Sequence, residues 1–321
     1  MPEYSETLHT ETERVKKEIR FLSVMGRLCE NRLALAALIV FAVILLAAVF
    51  ANQLAPYSYE EMDLGNTFAL PSAEHLCGTD QLGRDIFSRL LYGGRTSLLG
   101  ALGVVGISIV IGVPIGLFSG YHGGKLDAVL MRICDVIVSF PALLLAFVFV
   151  AAFGRGLFNA VLALGIIYIP MLAKLTRSLV LVEKNKTYVE AARSIGFSDS
   201  RILFSQILPN CVSTMMVELT LDLGYAILDL ASMSFLGLGV QPPTSDWGAM
   251  LEEGRIYITT SPLCAIAPGI MIIVTVIALN IFSDGIQGYL DPSQRKLPSI
   301  KSYRRIMAKM KAKKEAGKAA D

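Results

Sequence analysis

Six stretches of this chain are almost wholly apolar, and each is long enough to cross a membrane. A hydrocarbon core of about 30 Å needs roughly twenty helical residues. The stretches run Leu33–Ala51, Ser97–Phe118, Leu126–Phe153, Leu157–Leu179, about Cys211 to Leu236 and about Leu263 to Ser283. Lipid cannot satisfy free backbone N–H and C=O groups, so spans of this kind are read as helices. The expected fold class is an all-α integral membrane protein with six transmembrane helices. Composition agrees, with 54% hydrophobic and 17% charged residues, respectively above and below the globular norm. The 321 residues would suffice for two soluble domains, but the apolar runs argue for a membrane bundle instead. Five scattered cysteines without a C-x-x-C pair argue against a disulfide framework. The polar amino-terminal segment predicts no cleavable signal, with the first span inserting as an anchor.

Basic residues set the expected orientation. Arg14, Lys16, Lys17, Arg20, Arg27 and Arg32 precede the first span, and Lys125, the Lys174–Arg201 loop and an Arg295–Lys318 tail fall on the same side. The other side holds only Arg84, Arg89, Arg95, Arg155 and Arg255. Cytosolic loops are enriched in Lys and Arg, so both termini are expected in the cytosol. The expected organisation is a cytosolic amphipathic segment 1–32, a first span 33–51, an extracytoplasmic segment 52–96, a five-span core 97–290 containing a cytosolic loop 183–210, and a basic cytosolic tail 291–321. Within Glu13–Arg32, Phe21, Leu22, Met25 and Leu28 lie among basic residues, suiting a helix on the inner membrane surface. Gly112, Gly116 and Gly120 repeat every fourth residue, which lets a second helix approach closely. Pro141 is expected to kink the third span.

The loop between the fourth and fifth spans is polar and reads as two short helices. Glu190, Ala191 and Ala192 are good helix formers with small side chains suited to close contact. Gly196 suits a left-handed helix end. Ser198 or Asp199 can cap a second helix, from about Ser200 to Leu208, that Pro209 closes. This pattern resembles the coupling loop of ABC-importer permeases, the EAA motif. By that resemblance Glu190, Ala191, Ala192, Gly196, Leu208 and Pro209 would enter a groove on an ATPase subunit. The family usually has isoleucine two places before the Leu-Pro pair; here Gln206 holds that place and Ile207 follows.

A second signature precedes the second span: Gly78-Thr-Asp-Gln-Leu-Gly-Arg-Asp-Ile-Phe-Ser-Arg89, then Gly94-Arg-Thr-Ser-Leu98. Thr79 and Asp80 offer a helix cap, and Arg84, Asp85, Arg89 and Arg95 are expected to pair with one another. The pattern resembles the C-type transmembrane subunit of the dipeptide, oligopeptide and nickel importers. Further matches lie at Gly123–Arg132, Asp135, Ser139-Phe-Pro141, Ser234–Gly239, Asp246–Leu251, Asp284-Gly285 and Leu290-Asp-Pro292. The likeness covers nearly everything from Asn31 to Pro292.

On the fifth span Glu218, Asp222 and Asp229 fall at i, i+4 and i+11. At about 100° per residue they share one stripe, with Tyr225 beside it. Intramembrane carboxylates usually face a water-filled path or a partner. The stripe either lines the translocation path, attracting a peptide ammonium or a metal cation, or sits near the span's ends or pairs with basic residues of a partner subunit. The family usually has an acid where this chain has Leu230. Arg132 and Asp135, three apart, are expected to form a structural clamp with Asp127 nearby. His75 and Cys77 are two ligand types without a third, so no metal site is expected. No phosphate-binding G-x-x-x-x-G-K-[ST], H-E-x-x-H or G-x-S-x-G occurs, so no catalytic residue and no resident ATPase are expected. The tail carries ten Lys/Arg against two acids between Arg295 and Asp321, which favours the anionic inner leaflet over nucleic acid.

The resemblance implies the type I ABC importer fold and a permease subunit, not an enzyme, in the plasma (inner) membrane of a prokaryote. It implies a second homologous permease, two ATPase subunits carrying ATP and Mg, and an extracytoplasmic solute-binding protein. No cofactor is expected on this chain. The implied cargo is a di- or oligopeptide or a related small solute such as nickel. A secondary transporter or channel is the rival reading; it would often show internal repeats, and none is clear here.

Overall fold

The computed structural model describes residues 31–290, so the amphipathic segment ahead of Asn31 and the tail from residue 291 lie outside the described residues. Nine helices of eight or more residues occur among them: α1 (Arg32–Val49), α2 (Ile86–His122), α3 (Gly124–Val138), α4 (Ala142–Phe153), α5 (Leu157–Glu183), α6 (Thr187–Ser194), α7 (Leu208–Phe235), α8 (Trp247–Arg255) and α9 (Leu263–Leu290). Five are long and apolar enough to cross a membrane when Asp199–Phe235 counts as one run, and α3 with α4 makes a bent sixth. The chain is nearly all helix, with no named strand among the described residues.

Backbone contact explains the pairing of α2 with α5. A Cβ on Gly112 would sit 2.9 Å from the Ile169 carbonyl oxygen, on Gly116 2.4 Å from that of Ala173, and on Gly120 2.9 Å from that of Arg177. Three glycines four residues apart thus lay α2 on three successive turns of α5. Gly165 returns the contact from α5, fitting beneath Ile107. This pair is the most extensive helix contact in the structure. Between lipid-facing helices apolar burial gives little drive, so close van der Waals packing must hold them. At 37 residues, α2 extends about 55 Å, well beyond a hydrocarbon core. Both its ends therefore carry structure outside the apolar zone.

The third span departs from the expected kinked helix. α3 and α4 meet at 87° across Ser139-Phe140-Pro141. Proline lacks an N–H and pushes the residue before it out of the helical region, so the chain turns rather than kinks. The twelve residues of α4 cover only about 18 Å. Ala146 and Val150 anchor them in the core beside Ala160, Ala163 and Leu164. α3 is amphipathic: Leu126, Val129, Ile133 and Val136 are exposed along one face. The expected Arg132–Asp135 clamp does not form. Asp135 instead meets Lys174 at 2.7 Å, and Asp127 takes a forked contact from Arg177 at 2.5 and 2.6 Å, both partners lying on α5.

Two apolar clusters organise the bundle. The larger joins α1, α2, α4, α5, α7, α8 and α9 around Leu98, Val104, Leu164, Ile227, Trp247 and Leu279. The smaller gathers Leu117, Tyr121, Leu172, Val180, Val189, Ala192, Ile202, Leu203 and Ile207 beneath the α5–α7 connection. Gly116→Ala is expected to cost about 1–3 kcal/mol, as overpacking does, and to lower the detergent melting temperature by several degrees. Gly106→Ala, with nothing within 4 Å of the added carbon, should leave it unchanged. Equal melts for the two variants would contradict the backbone-contact account.

Candidate functional site

The α5–α7 connection is a compact helical hairpin. α6 ends in a Schellman arrangement: the Gly196 N–H donates to Arg193 O at 3.0 Å and the Phe197 N–H to Ala192 O at 3.1 Å. That turn requires a left-handed residue, and Gly196 has φ +86°. The expected second helix is corrected in two ways. It begins at Asp199, with no side-chain cap from Ser198, and it does not end at Pro209. Asp199–Ile202 passes through a π turn, Leu203–Ile207, directly into α7, with Pro209 in the first turn of α7. Proline lacks an N–H to continue the helical ladder, and it sits where the wider π turn already interrupts that ladder.

The π turn also resolves the displaced isoleucine. Leu208 N–H donates to Leu203 O, five residues back, so one residue is added to the turn. Ile202 and Ile207, five apart, both become fully buried while Gln206 lies at the edge. A reading based on a regular 3.6-residue period could not have found this.

The six residues expected to contact an ATPase divide by exposure. Glu190, Ala191, Gly196 and Pro209 are exposed, Leu208 is half-buried, and Ala192 is buried. Ile195 stands 71% exposed at the apex beside Gly196, around which nothing lies within 4 Å. The opposite face is tied down. Tyr188 Oη donates to Glu183 at 2.7 Å and accepts from Asn210 Nδ2 at 3.2 Å. Burial, then the bond to Glu183, pushes the Tyr188 hydroxyl pKa up to about 12. Lys184 Nζ donates to Gly120 O at 2.8 Å, tying the hairpin to the end of α2.

The acid stripe on α7 occupies mixed surroundings. Asp222 is buried, Glu218 and Asp229 are half-buried, and Tyr225 is exposed. Asp229 accepts from Tyr168 Oη of α5 at 2.8 Å. Tyr168 carries no signal in the sequence, because its partner lies 61 residues away and no local spacing marks such a pair.

At the far end of the bundle, segment 52–96 and α8 form a polar cap with a charged interior. Arg84 donates to Asp80 at 2.7 Å and to Glu253 at 2.7 Å; Arg89 reaches the same two acids at 2.5 and 2.9 Å. Arg84, Arg89 and Asp80 are buried. The expected pairing of Arg84, Asp85 and Arg89 with one another is therefore replaced: the arginines take Asp80 and Glu253, and Asp85 takes His75. The helix cap is also reassigned. Asp85, not Thr79 or Asp80, accepts the Ser88 N–H at 2.7 Å at the start of α2, and it also meets His75 Nδ1 at 3.1 Å. No cluster of three metal-ligating residues occurs among the described residues. Asp246 caps α8 through the Gly248 and Ala249 N–H groups and accepts from Ser97 Oγ at 2.5 Å; burial still raises its carboxyl pKa above the usual range. Trp247 Nε1 donates to Leu90 O at 2.9 Å, and its ring fills the space left by Gly93 and Gly94.

Comparison with known proteins fits this architecture. Residues 112–296 match the family model described as a binding-protein-dependent transport system inner membrane component. Residues 21–71 match that of the N-terminal TM domain of oligopeptide transport permease C. The chain is 43% identical over 267 residues to the glutathione transport system permease protein GsiD of Pectobacterium atrosepticum, covering 83% of this chain and 89% of that one. The protein of the same name in Escherichia coli is 44% identical, covering 83% and 88%. Among solved structures, a chain of the inward-facing MetNI methionine ABC transporter aligns with a TM-score of 0.54 at 18% identity, over 64% of this chain and 98% of that one. A second crystal form of it gives 0.52 at 19% identity, over 63% and 96%. At those identities the likeness speaks for the fold.

Removing the Glu253 charge would leave two buried guanidinium groups sharing the single Asp80 carboxylate. Glu253→Gln is expected to destabilise the protein by about 1–3 kcal/mol, as loss of a charged hydrogen-bond partner does. Glu252→Gln, which breaks an exposed pair with Arg255, should stay within about 1 kcal/mol. Thermal or denaturant unfolding in detergent distinguishes them, and indistinguishable curves would show that the cap pairs carry no stability.

Proposed function

The chain belongs to the family of binding-protein-dependent transport system inner membrane components, and from that premise we propose that its α5–α7 hairpin is where the ATPase subunit docks. Proteins of this family are multi-pass permease subunits of ABC importers, not themselves enzymes, and work with ATPase and solute-binding partners. The observation that carries the docking reading is the division of the hairpin into two faces. Val189, Ala192, Ile202, Leu203 and Ile207 hold it to the bundle. Glu190, Ala191, Ile195, Gly196 and Pro209 remain exposed. The small residues Ala191 and Gly196 permit close approach, and the exposed Ile195 supplies an apolar knob. ATP and Mg belong to the partner subunits, two of which serve the complete transporter, and a second homologous permease supplies the other half of the path.

The hairpin lies on the cytosolic side in this reading, as its basic residues require. The cap then faces outward and receives the solute-binding protein. The cargo is a peptide-like small solute. Support comes from the oligopeptide-permease segment at residues 21–71 and from relatives named for glutathione transport. On α7, Glu218, Asp222, Tyr225 and Asp229 border the path. Exposed Tyr225 can meet solute directly, whereas Asp229 is already engaged by Tyr168. Neutralising Asp222 and Asp229 together should lower uptake in the assembled complex; unchanged uptake would remove them from the path.

Ala191→Trp and Gly196→Val are expected to cut recovery of the ATPase with the tagged chain more than tenfold and to abolish ATP-driven uptake. Ala191→Trp lies on an exposed helix face, so its melting temperature should match the parent. Undiminished ATPase recovery with both variants would overturn the docking reading. A membrane-impermeant thiol reagent applied to intact cells should leave Ile195→Cys unlabelled in a cysteine-free background. Ready labelling from outside would reverse the orientation.

A further inference from the structure

Docking a motor on a hairpin moves nothing unless the hairpin grips a membrane helix, and the structure contains such a grip at a residue outside the coupling loop. Tyr121 lies at the far end of α2, one residue before the helix stops. Its side chain is buried in the smaller apolar cluster, against the hairpin's own core residues. Its hydroxyl donates to the Asp199 carboxylate and accepts from Arg193 Nη2 at 3.4 Å. Arg193 lies in the last turn of α6. Asp199 opens the helix that leads through the π turn into α7. One phenol therefore joins both limbs of the hairpin, on either side of the Gly196 turn, to a third element. Lys184 Nζ reaches the Gly120 and Tyr121 carbonyl oxygens from the hairpin's other root.

We propose that Tyr121, held by Asp199 and Arg193, is the positioning residue through which displacement of the docked hairpin enters α2. The proposal rests on the docking reading above. The residue's place makes the lever effective. Gly112, Gly116 and Gly120 bind α2 to α5 backbone to backbone, so a push on Tyr121 moves two spans as one body. The hairpin is continuous with α7 through the π turn, so α7 follows without any clasp. α5 enters the hairpin through the Lys184–Lys186 turn, and Tyr121 adds a direct hold on α2. A phenol suits the task because its ring packs among Leu117, Val189 and Ile202 while its hydroxyl reaches both polar groups.

The test uses the assembled transporter, with its partner permease and ATPase subunits, in lipid nanodiscs. Spin-label distances are measured between Ser200 and Ile273, reporting the hairpin against α9, and between Val110 and Ile273, reporting α2 against α9. All three positions are exposed. In the parent, a non-hydrolysable ATP analogue should shift both distances. In Tyr121→Phe and in Asp199→Asn the hairpin distance should still shift, while the α2 shift falls at least twofold, and Tyr121→Ala should reduce it further. ATPase recovery should stay at parent level in all three. Full α2 shifts in all variants, with ATPase bound, would overturn the clasp and leave docking intact. Shifts in neither distance in the parent would sink docking and the clasp together. If Tyr121→Ala proves too unstable to assemble, the phenylalanine and asparagine variants, which preserve packing, still decide between these outcomes.

Discussion

The contact of α2 with α5 is the constraint on which the other packing depends. A glycine at every fourth position removes the side chains that would otherwise stand between two helices, so the α5 carbonyls meet the α2 backbone almost directly. Ordinary helix pairs keep axes 8–10 Å apart because side chains interleave. Contact at this range is directional and sterically unforgiving. It fixes α2 and α5 as one body. Everything attached to the ends of α2, the cap at Asp85 and the hairpin at Tyr121, inherits its position from that body.

Features governed by short spacing were legible in the sequence. The apolar runs found a helix at each expected span, although α2 begins at Ile86, well ahead of the expected Ser97, and Pro141 turned the chain within the third. The Gly112–Gly116–Gly120 repeat announced a close helix contact, and Gly196 its left-handed turn. Charge pairing was not legible, because attraction between ions carries no sequence period. Asp127 chose Arg177 fifty residues on, and Arg84 chose Glu253 at a separation of 169. Local neighbours such as Arg132 and Asp135 lost to partners presented by another helix. The π turn was hidden for a different reason: a residue added to one turn shifts the buried face, and only the three-dimensional core shows where Ile207 must point.

The acids on α7 show how one helical stripe can hold groups of different fate. Shared angular position does not give shared surroundings, since neighbouring helices cover different heights of α7. Tyr168 meets Asp229 from α5, while Tyr225, one turn earlier, stays open. A carboxylate partly withdrawn from water gains from a hydrogen-bond donor. Asp229 has found one in a phenol. The exposed tyrosine near it is free to meet another molecule.

The two ends of the bundle are built for opposite mechanical behaviour. At the cap, two guanidinium groups and two carboxylates share a largely buried site, and Trp247 fills the gap made by a pair of glycines. Separating such charges without water is costly, so the cap resists partial opening and moves as a block. At the hairpin, the charged partners Asp199 and Arg193 are exposed, while the Tyr121 ring they hold is buried. The charged ends can change angle while the ring stays seated in its apolar cluster. The glycine contact between α2 and α5 runs between these two ends. The 87° turn at Pro141 sets α3 against α5, where Asp127 takes a forked contact from Arg177 and Asp135 a more exposed one from Lys174.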